Sequence, residues 1–215
     1  MTFTITKKDG SKVPFNADRI NKSIERACHG IEDPISKVIQ IATETRLTLY
    51  DGITTDEMDS ATINAALQNA QFGTEFDIIA TRLLMKTIYK KVVGDFDSDE
   101  SKSLTEEEFN KLHNSHFKPY ILDAIERGLL DPRMATLFDL DELGNNLKPE
   151  NDELYRYSGL STMQNRYLMK NEKQEPLETP QFFWMRVATG MSLTEKNPTE
   201  GAKKLYNKKY THEYL

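Results

Sequence analysis

A chain of 215 residues, 38% of them hydrophobic, holds enough apolar side chain for one large or two small folded cores. Its formal charge of -6, from 28 Lys and Arg against 34 Asp and Glu, argues against non-specific binding to nucleic acid. The single cysteine, Cys28, excludes an internal disulfide or a cysteine-rich metal site; no N-terminal charged-then-apolar signal occurs, and no apolar run approaches the about 18 residues of a spanning helix, so a cytoplasmic protein is expected.

The chain opens on two short alternating segments, Phe3 with Ile5 and Val13 with Phe15, separated by the turn signal Asp9-Gly10. Lys7, Lys8 and Lys12 cluster around that turn, and residues 1–30 carry six Lys and Arg against three acidic residues, the reverse of the whole-chain balance. A basic hairpin running straight into a helix start points to a small anion, because helix N-terminal amides add to the attraction. Apolar spacing at Ile20, Ile24, Ala27 and Cys28 predicts a first helix over 18–28, stopped near Gly30. A second helix is predicted over 35–49 and ends at Asp51-Gly52. Thr54 and Glu57 form a capping box for a third helix, and Phe76 through Val93 carry the longest helical pattern, closed by Gly94. Two or three short strands and four helices thus fill residues 1–95 as one unit.

Residues 95–103 are acidic and Ser-rich and read as an exposed linker, with 96–103 separating the first domain from a second over 104–215. Thr105 and Glu108 make a further capping box, and helices are predicted at 106–115, 117–127 and 131–139. A polar break follows at Gly144-Asn145-Asn146 and Pro149, then a turn around Glu172-Lys173-Gln174. Helices from Pro180 to Leu193 and from Glu200 to about Tyr210 complete the pattern. His113 and His116 form no metal-ligand pattern and read as polar surface or capping groups, while Phe182, Phe183 and Trp184 read as core or interface.

Four ordered blocks carry a family likeness: Thr6-Lys7-Lys8-Asp9-Gly10, Phe15-Asn16 with Arg19-Ile20, Tyr50 to Thr55, and Ala80 with Arg82-Leu83 leading to Tyr89-Lys90-Lys91-Val92 and Gly94. With Tyr157 to Thr162, Asn165 to Leu168 and Glu178 to Ala188, the chain resembles the N-terminal part of the class I ribonucleotide reductase large subunit, including its ATP-cone domain. The likeness implies a mainly α fold with a small β-hairpin or sheet cap, followed by the helical N-terminal portion of the reductase α/β barrel domain. It implies ATP and dATP as allosteric effectors, with Mg2+ accompanying the nucleotide, and nucleotide contacts at Lys7, Lys8, Asn16, Arg19, Ile20, Thr55 and Lys91.

Residue chemistry suits those roles: Lys7, Arg19 and Lys91 as charge-assisted phosphate donors, Asn16 and Thr55 as hydrogen-bonding groups for base or ribose, Ile20 as an apolar cover. Arg19 stands where the family commonly has lysine, and Val13 replaces a polar, often acidic, residue. The family reduces ribose through a thiyl-forming cysteine and a redox cysteine pair, which a chain with one cysteine cannot supply. The implied partners are a C-terminal large-subunit portion, the radical-bearing small subunit and other large subunits, with neither nucleic acid nor membrane. A degenerate interaction subunit without nucleotide binding is the alternative. A repressor with an ATP-cone sensor would need a zinc ribbon, which one cysteine cannot build.

Overall fold

The computed structural model describes residues 3–94 and 104–210, so the predicted linker at 96–103 and the chain end from 211 lie outside the described residues. Two compact units result, one from the residues up to Thr87 together with Tyr155–Ser161, the other from Ile88–Leu154 together with the residues from Thr162 onward. As the likeness implied, the fold is mainly helical with a small open sheet.

In the first unit, β1 (Thr4–Thr6) is the central strand of three. It pairs antiparallel with β2 (Lys12–Pro14) and parallel with β3 (Ile53–Thr54), with Ile5 opposite both Val13 and Ile53. The connection between β1 and β2 closes through Lys7 N–H to Ser11 O at 2.8 Å and Gly10 N–H to Lys7 O at 2.9 Å. Gly10 takes φ +82, a left-handed conformation that a residue with a Cβ rarely adopts. The helices are α1 (Ala17–Ala27), α2 (Pro34–Thr48), α3 (Thr55–Gln68) and α4 (Glu75–Val92), the last running on past Thr87. Ile5, Ile20, Ile24, Ile41, Ile53, Phe76 and Ile79 are buried and form the apolar interior, as their helical and alternating spacing predicts. Cys28 is also buried, and burial pushes its thiol up to about 11, so it behaves as a small core residue rather than a nucleophile.

In the second unit, α5 (Glu106–Ser115), α6 (Phe117–Glu126), α7 (Met134–Leu137) and α8 (Leu140–Asn145) precede a 3-10 turn at Pro149–Leu154. The helix α9 (Tyr157–Arg166) begins in the first unit; α10 (Pro180–Met191) and α11 (Pro198–Tyr210) complete the second, packed on each other, with α8 against α5, α6 and α11. Phe117, Ile121, Leu143, Phe182, Met185 and Tyr206 are fully or almost fully buried at its centre.

Three expectations need correction here. The single helix predicted over 131–139 is only the one-turn α7, because Phe138 is extended and Asp139 caps a new helix by accepting from Glu142 N–H at 2.9 Å. The predicted break at Gly144-Asn145-Asn146 is mostly helix for the same reason. Gly144 serves close packing: a Cβ there would sit 2.9 Å from the backbone oxygen of Asn114. His113 is likewise no surface group, since it is completely buried in the second unit.

Candidate functional site

Sheet register decides which of the seven predicted contact residues fall together. Thr6 is opposite Lys12 on one side and Thr54 on the other, so Lys7, Lys12 and Thr55 emerge at one end of the sheet, beside the turn that carries Lys8. At the opposite end Phe15 N–H donates to Phe3 O at 3.0 Å, and Asn16 follows as the N-cap of α1, with Arg19 and Ile20 in its first turn. Four residue steps of about 3.4 Å, roughly 14 Å, separate Phe3 from Lys7 along the strand, comparable with the span of an extended nucleoside triphosphate. Lys91 lies in the last turn of α4, within the second unit, where its charge and that of Lys90 complement the helix dipole.

Each position has a local structural cause. The Asn16 side chain accepts from Asp18 N–H at 2.8 Å, which fixes the entry to α1 and leaves its amide NH2 as the group facing outward chemistry. Thr55 is the first residue of α3 because Thr54 and Glu57 form the expected capping box: Glu57 N–H donates to Thr54 Oγ1 at 3.2 Å, and Thr54 N–H to Glu57 Oε2 at 2.9 Å. Lys7, Lys8, Asn16 and Arg19 are exposed, Thr55 and Lys91 half-buried. Ile20 is only 4% exposed, so its main contacts are with the interior.

Two carboxylates hold the sheet in shape, Asp9 at its basic end and Asp51 at the start of β1. Asp9 accepts from Ser11 N–H at 2.8 Å and Ser11 Oγ at 2.6 Å, and these bonds hold its carboxyl below the usual range. Asp51 accepts from Thr4 N–H at 2.7 Å and Thr4 Oγ1 at 2.9 Å, bonds that likewise lower its carboxyl, with the Lys12 charge adding to them. Asp51-Gly52 thus does more than end α2, since it fastens β3 to β1 and thereby sets Thr55 beside Lys7. Arg82, part of the fourth block of the likeness, has a structural task as well: its Nη1 donates to Ala27 O at 3.0 Å and His29 O at 2.6 Å, satisfying carbonyls at the end of α1. The sequence carried no separate signal for either task.

Two clefts lie elsewhere. One of about 440 Å³ between α2 and α3 is lined by Glu44, Tyr50, Asp56, Glu57 and Asn64 among others, and its three carboxylates would repel a triphosphate. A second, of about 740 Å³, follows α11 past Lys196, Lys203 and Lys204, but Lys203 is already engaged by Glu142 and Glu200 at 2.6 and 2.7 Å. Neither contains any of the seven residues. Among the described residues, no group of three or more His, Cys, Asp or Glu is placed to hold a metal ion, and no helix is long and apolar enough to cross a membrane.

Comparison with known proteins matches residues 3–91 to the ATP cone domain and residues 153–215 to the all-alpha domain of ribonucleotide reductase. The chain is 30% identical over 213 residues to the ribonucleoside-diphosphate reductase subunit alpha of Chlamydia muridarum, covering 99% of this chain and 19% of that protein. The subunit alpha of Helicobacter pylori is 28% identical over 204 residues, covering 94% of this chain and 24% of that protein. The large subunit of Caenorhabditis elegans is 28% identical over 187 residues, covering 87% and 22%. The chain therefore spans about a fifth of the length of the curated relatives it matches.

Proposed function

The chain carries an ATP cone and the start of the all-alpha domain of a ribonucleotide reductase large subunit, and from that premise we propose that it binds ATP and dATP to control reduction of ribonucleoside diphosphates. One observation carries the reading: the parallel pairing of β1 with β3 gathers Lys7, Lys12 and Thr55 beside Lys8 at one end of a sheet whose other end leads into Asn16, Arg19 and Ile20. Ammonium groups and a hydroxyl at one end suit a triphosphate; an amide and a guanidinium at the other suit ribose and base. We accordingly place Lys7, Lys8 and Thr55 at the phosphates and Asn16, Arg19 and Ile20 at the nucleoside, with Lys91 entering on the family likeness alone. This exchanges the roles that residue chemistry suggested for Arg19, read as a phosphate donor, and Thr55, read as a base or ribose contact, because Thr55 follows the strand beside Lys7 and Arg19 lies beyond the other end of the sheet. Mg2+ enters with the nucleotide and neutralises part of its phosphate charge.

In this reading residues 1–95 are the regulatory domain and residues 104–215 the helical beginning of the catalytic one. The effectors differ by one ribose hydroxyl, and a coupling of about 1–3 kcal/mol between their site and the rest of the enzyme would suffice to regulate it. The assembly includes the remaining large-subunit portion, the radical-bearing small subunit and further large subunits, in the cytoplasm.

Isothermal titration tests the site. Lys7→Ala and Lys91→Ala are each expected to weaken ATP and dATP equally, by about 1.5–3 kcal/mol, roughly ten- to hundredfold, because both nucleotides share the phosphates. Wild-type affinity in both variants removes the phosphate assignment. No heat at millimolar nucleotide, with circular dichroism of a folded chain, leaves the interaction-subunit alternative in its place. Catalysis is tested separately. Mixed with the radical-bearing small subunit, the 215-residue chain is expected to show no CDP reduction, since one buried thiol cannot form a disulfide and supply two electrons. Turnover above the small-subunit blank would overturn the division of labour.

A further inference from the structure

β3 is only two residues long, so its ladder with β1 is short and side chains supply much of the join. A single oxygen of Asp51, Oδ1, accepts both from Thr4 N–H at 2.7 Å and from Thr4 Oγ1 at 2.9 Å. Alongside, Gly52 N–H donates to Thr4 O at 2.9 Å, and Thr6 Oγ1 donates to Gly52 O at 2.9 Å. Thr4 and Thr6 share the face of β1 opposite to that of the buried Ile5, and Lys12, the register partner of Thr6, lies on the same face. Three residue steps of about 3.4 Å, roughly 10 Å, separate Thr4 from Lys7 along the strand. The carboxylate therefore stands apart from the phosphate end of the site, yet it fastens the strand that leads directly into Thr55.

We infer that Asp51 is a positioning residue of the nucleotide site: by holding β3 to β1 it keeps the Thr55 hydroxyl at the phosphates, without touching the ligand itself. The inference rests on the reading of the preceding section, which puts Thr55 there, and adds the residue that sets its position. Two effects of the carboxylate then oppose each other. As a negative charge it repels a triphosphate, but at about 10 Å, close to the screening length at physiological ionic strength, that repulsion is small. As the acceptor of two Thr4 bonds it sets the separation of Thr55 from Lys7, and a hydroxyl displaced beyond about 3.5 Å from its acceptor makes no hydrogen bond. The second effect is the larger, so removing this acidic residue weakens an anionic ligand instead of tightening it.

Isothermal titration of the 215-residue chain with Mg-ATP tests it. Asp51→Ala is expected to weaken binding about tenfold. Asp51→Asn, whose amide oxygen can accept the same two Thr4 bonds, is expected to stay within about threefold of the wild type although it loses the same charge. In a Thr55→Ala background, Asp51→Ala is expected to cost no more than about twofold, because the group it positions is gone. Tighter or unaltered binding in Asp51→Ala, equal weakening by the alanine and asparagine variants, or a tenfold loss that persists without the Thr55 hydroxyl overturns the inference and leaves the proposed function standing on Lys7→Ala. Failure of the wild type to bind Mg-ATP overturns the proposed function and the inference with it. If Asp51→Ala lowers folded content by circular dichroism, Thr4→Val decides, since it removes the hydroxyl bond with no change of charge. It is expected to weaken Mg-ATP about threefold in a folded chain, and wild-type affinity there overturns the inference.

Discussion

Arg186→Ala is expected to destabilise the second unit by about 3–5 kcal/mol, measured as a shift in the urea midpoint, because it strands a carboxylate that has no access to water. Glu178 is completely buried, whereas 18% of the Arg186 side chain is exposed. The guanidinium binds it through Nε to Oε2 and Nη2 to Oε1, both at 2.8 Å, a paired geometry that lysine could not reproduce. The carboxylate also accepts from Tyr120 Oη and, at 2.8 Å, from Met169 N–H. Burial, with the Glu178 charge adding to it, raises the Tyr120 hydroxyl well above its ordinary value, so it stays protonated and donates.

The two halves of the pair are therefore unequal. Glu178→Gln leaves a guanidinium that can still reach solvent and an amide that can still accept, and it should cost about 1–2 kcal/mol, clearly less than Arg186→Ala. The same carboxylate anchors the Met169–Leu177 hairpin, which closes through Leu177 N–H to Met169 O at 2.8 Å and turns at Gln174 with φ +62. Faster exchange of the Met169 amide should accompany the loss of stability in Arg186→Ala. Equal destabilisation by both substitutions, with Met169 exchange unaltered, would show that the pair is not the anchor.

Local chemistry was legible in the sequence wherever one short segment carries both the signal and its answer. Thr54 with Glu57 and Thr105 with Glu108 announce capping boxes that the structure contains, and Asp9-Gly10 announces its turn. The errors come from residues whose reason lies elsewhere in the chain. Gly144 resembled a loop glycine but is there because α8 lies against the backbone of Asn114, thirty residues earlier. Asp139 is a good N-cap by type, yet the apolar run across 134–140 concealed the change of direction. In the candidate site, Lys7, Lys8 and Lys12 were legible as a basic turn. Their meeting with Thr55 was not, because it depends on β1 pairing in parallel with a two-residue strand 48 positions on, secured by Asp51. A strand that short has no periodicity to read.

His113 supplies the second large effect, on the dependence of stability on pH. Its Nδ1 lies 2.9 Å from Asn114 Oδ1; Asn114 Nδ2 donates to Leu147 O at 3.1 Å, so Oδ1 is the accepting end and Nδ1 bears the hydrogen. Nε2, 2.9 Å from Thr179 Oγ1, then accepts the threonine hydroxyl, whose oxygen in turn accepts from Phe182 N–H at 3.2 Å. With Tyr89, Phe109 and Phe182 around the ring there is no place for a second proton and the charge it brings, and burial, reinforced by nearby His116, pushes the imidazole down to about 4. An unfolded histidine titrates near about 6.5, so between those values the unfolded chain holds a proton that the native chain does not, and stability falls as pH falls. At about 1.4 kcal/mol per pH unit the loss approaches about 3 kcal/mol from pH 6.5 to pH 4. Carboxylates held low in the fold, such as Asp51 and Glu108, lose their contribution only as pH falls further, so urea unfolding at pH 7, 6 and 5 isolates the histidine. His113→Gln should flatten that slope by about one proton whatever it costs in absolute stability, because a slope is insensitive to a constant offset. An imidazole resonance of His113 that titrates near 6.5 by NMR, or an unchanged slope in His113→Gln, would show that this ring accepts a proton inside the fold.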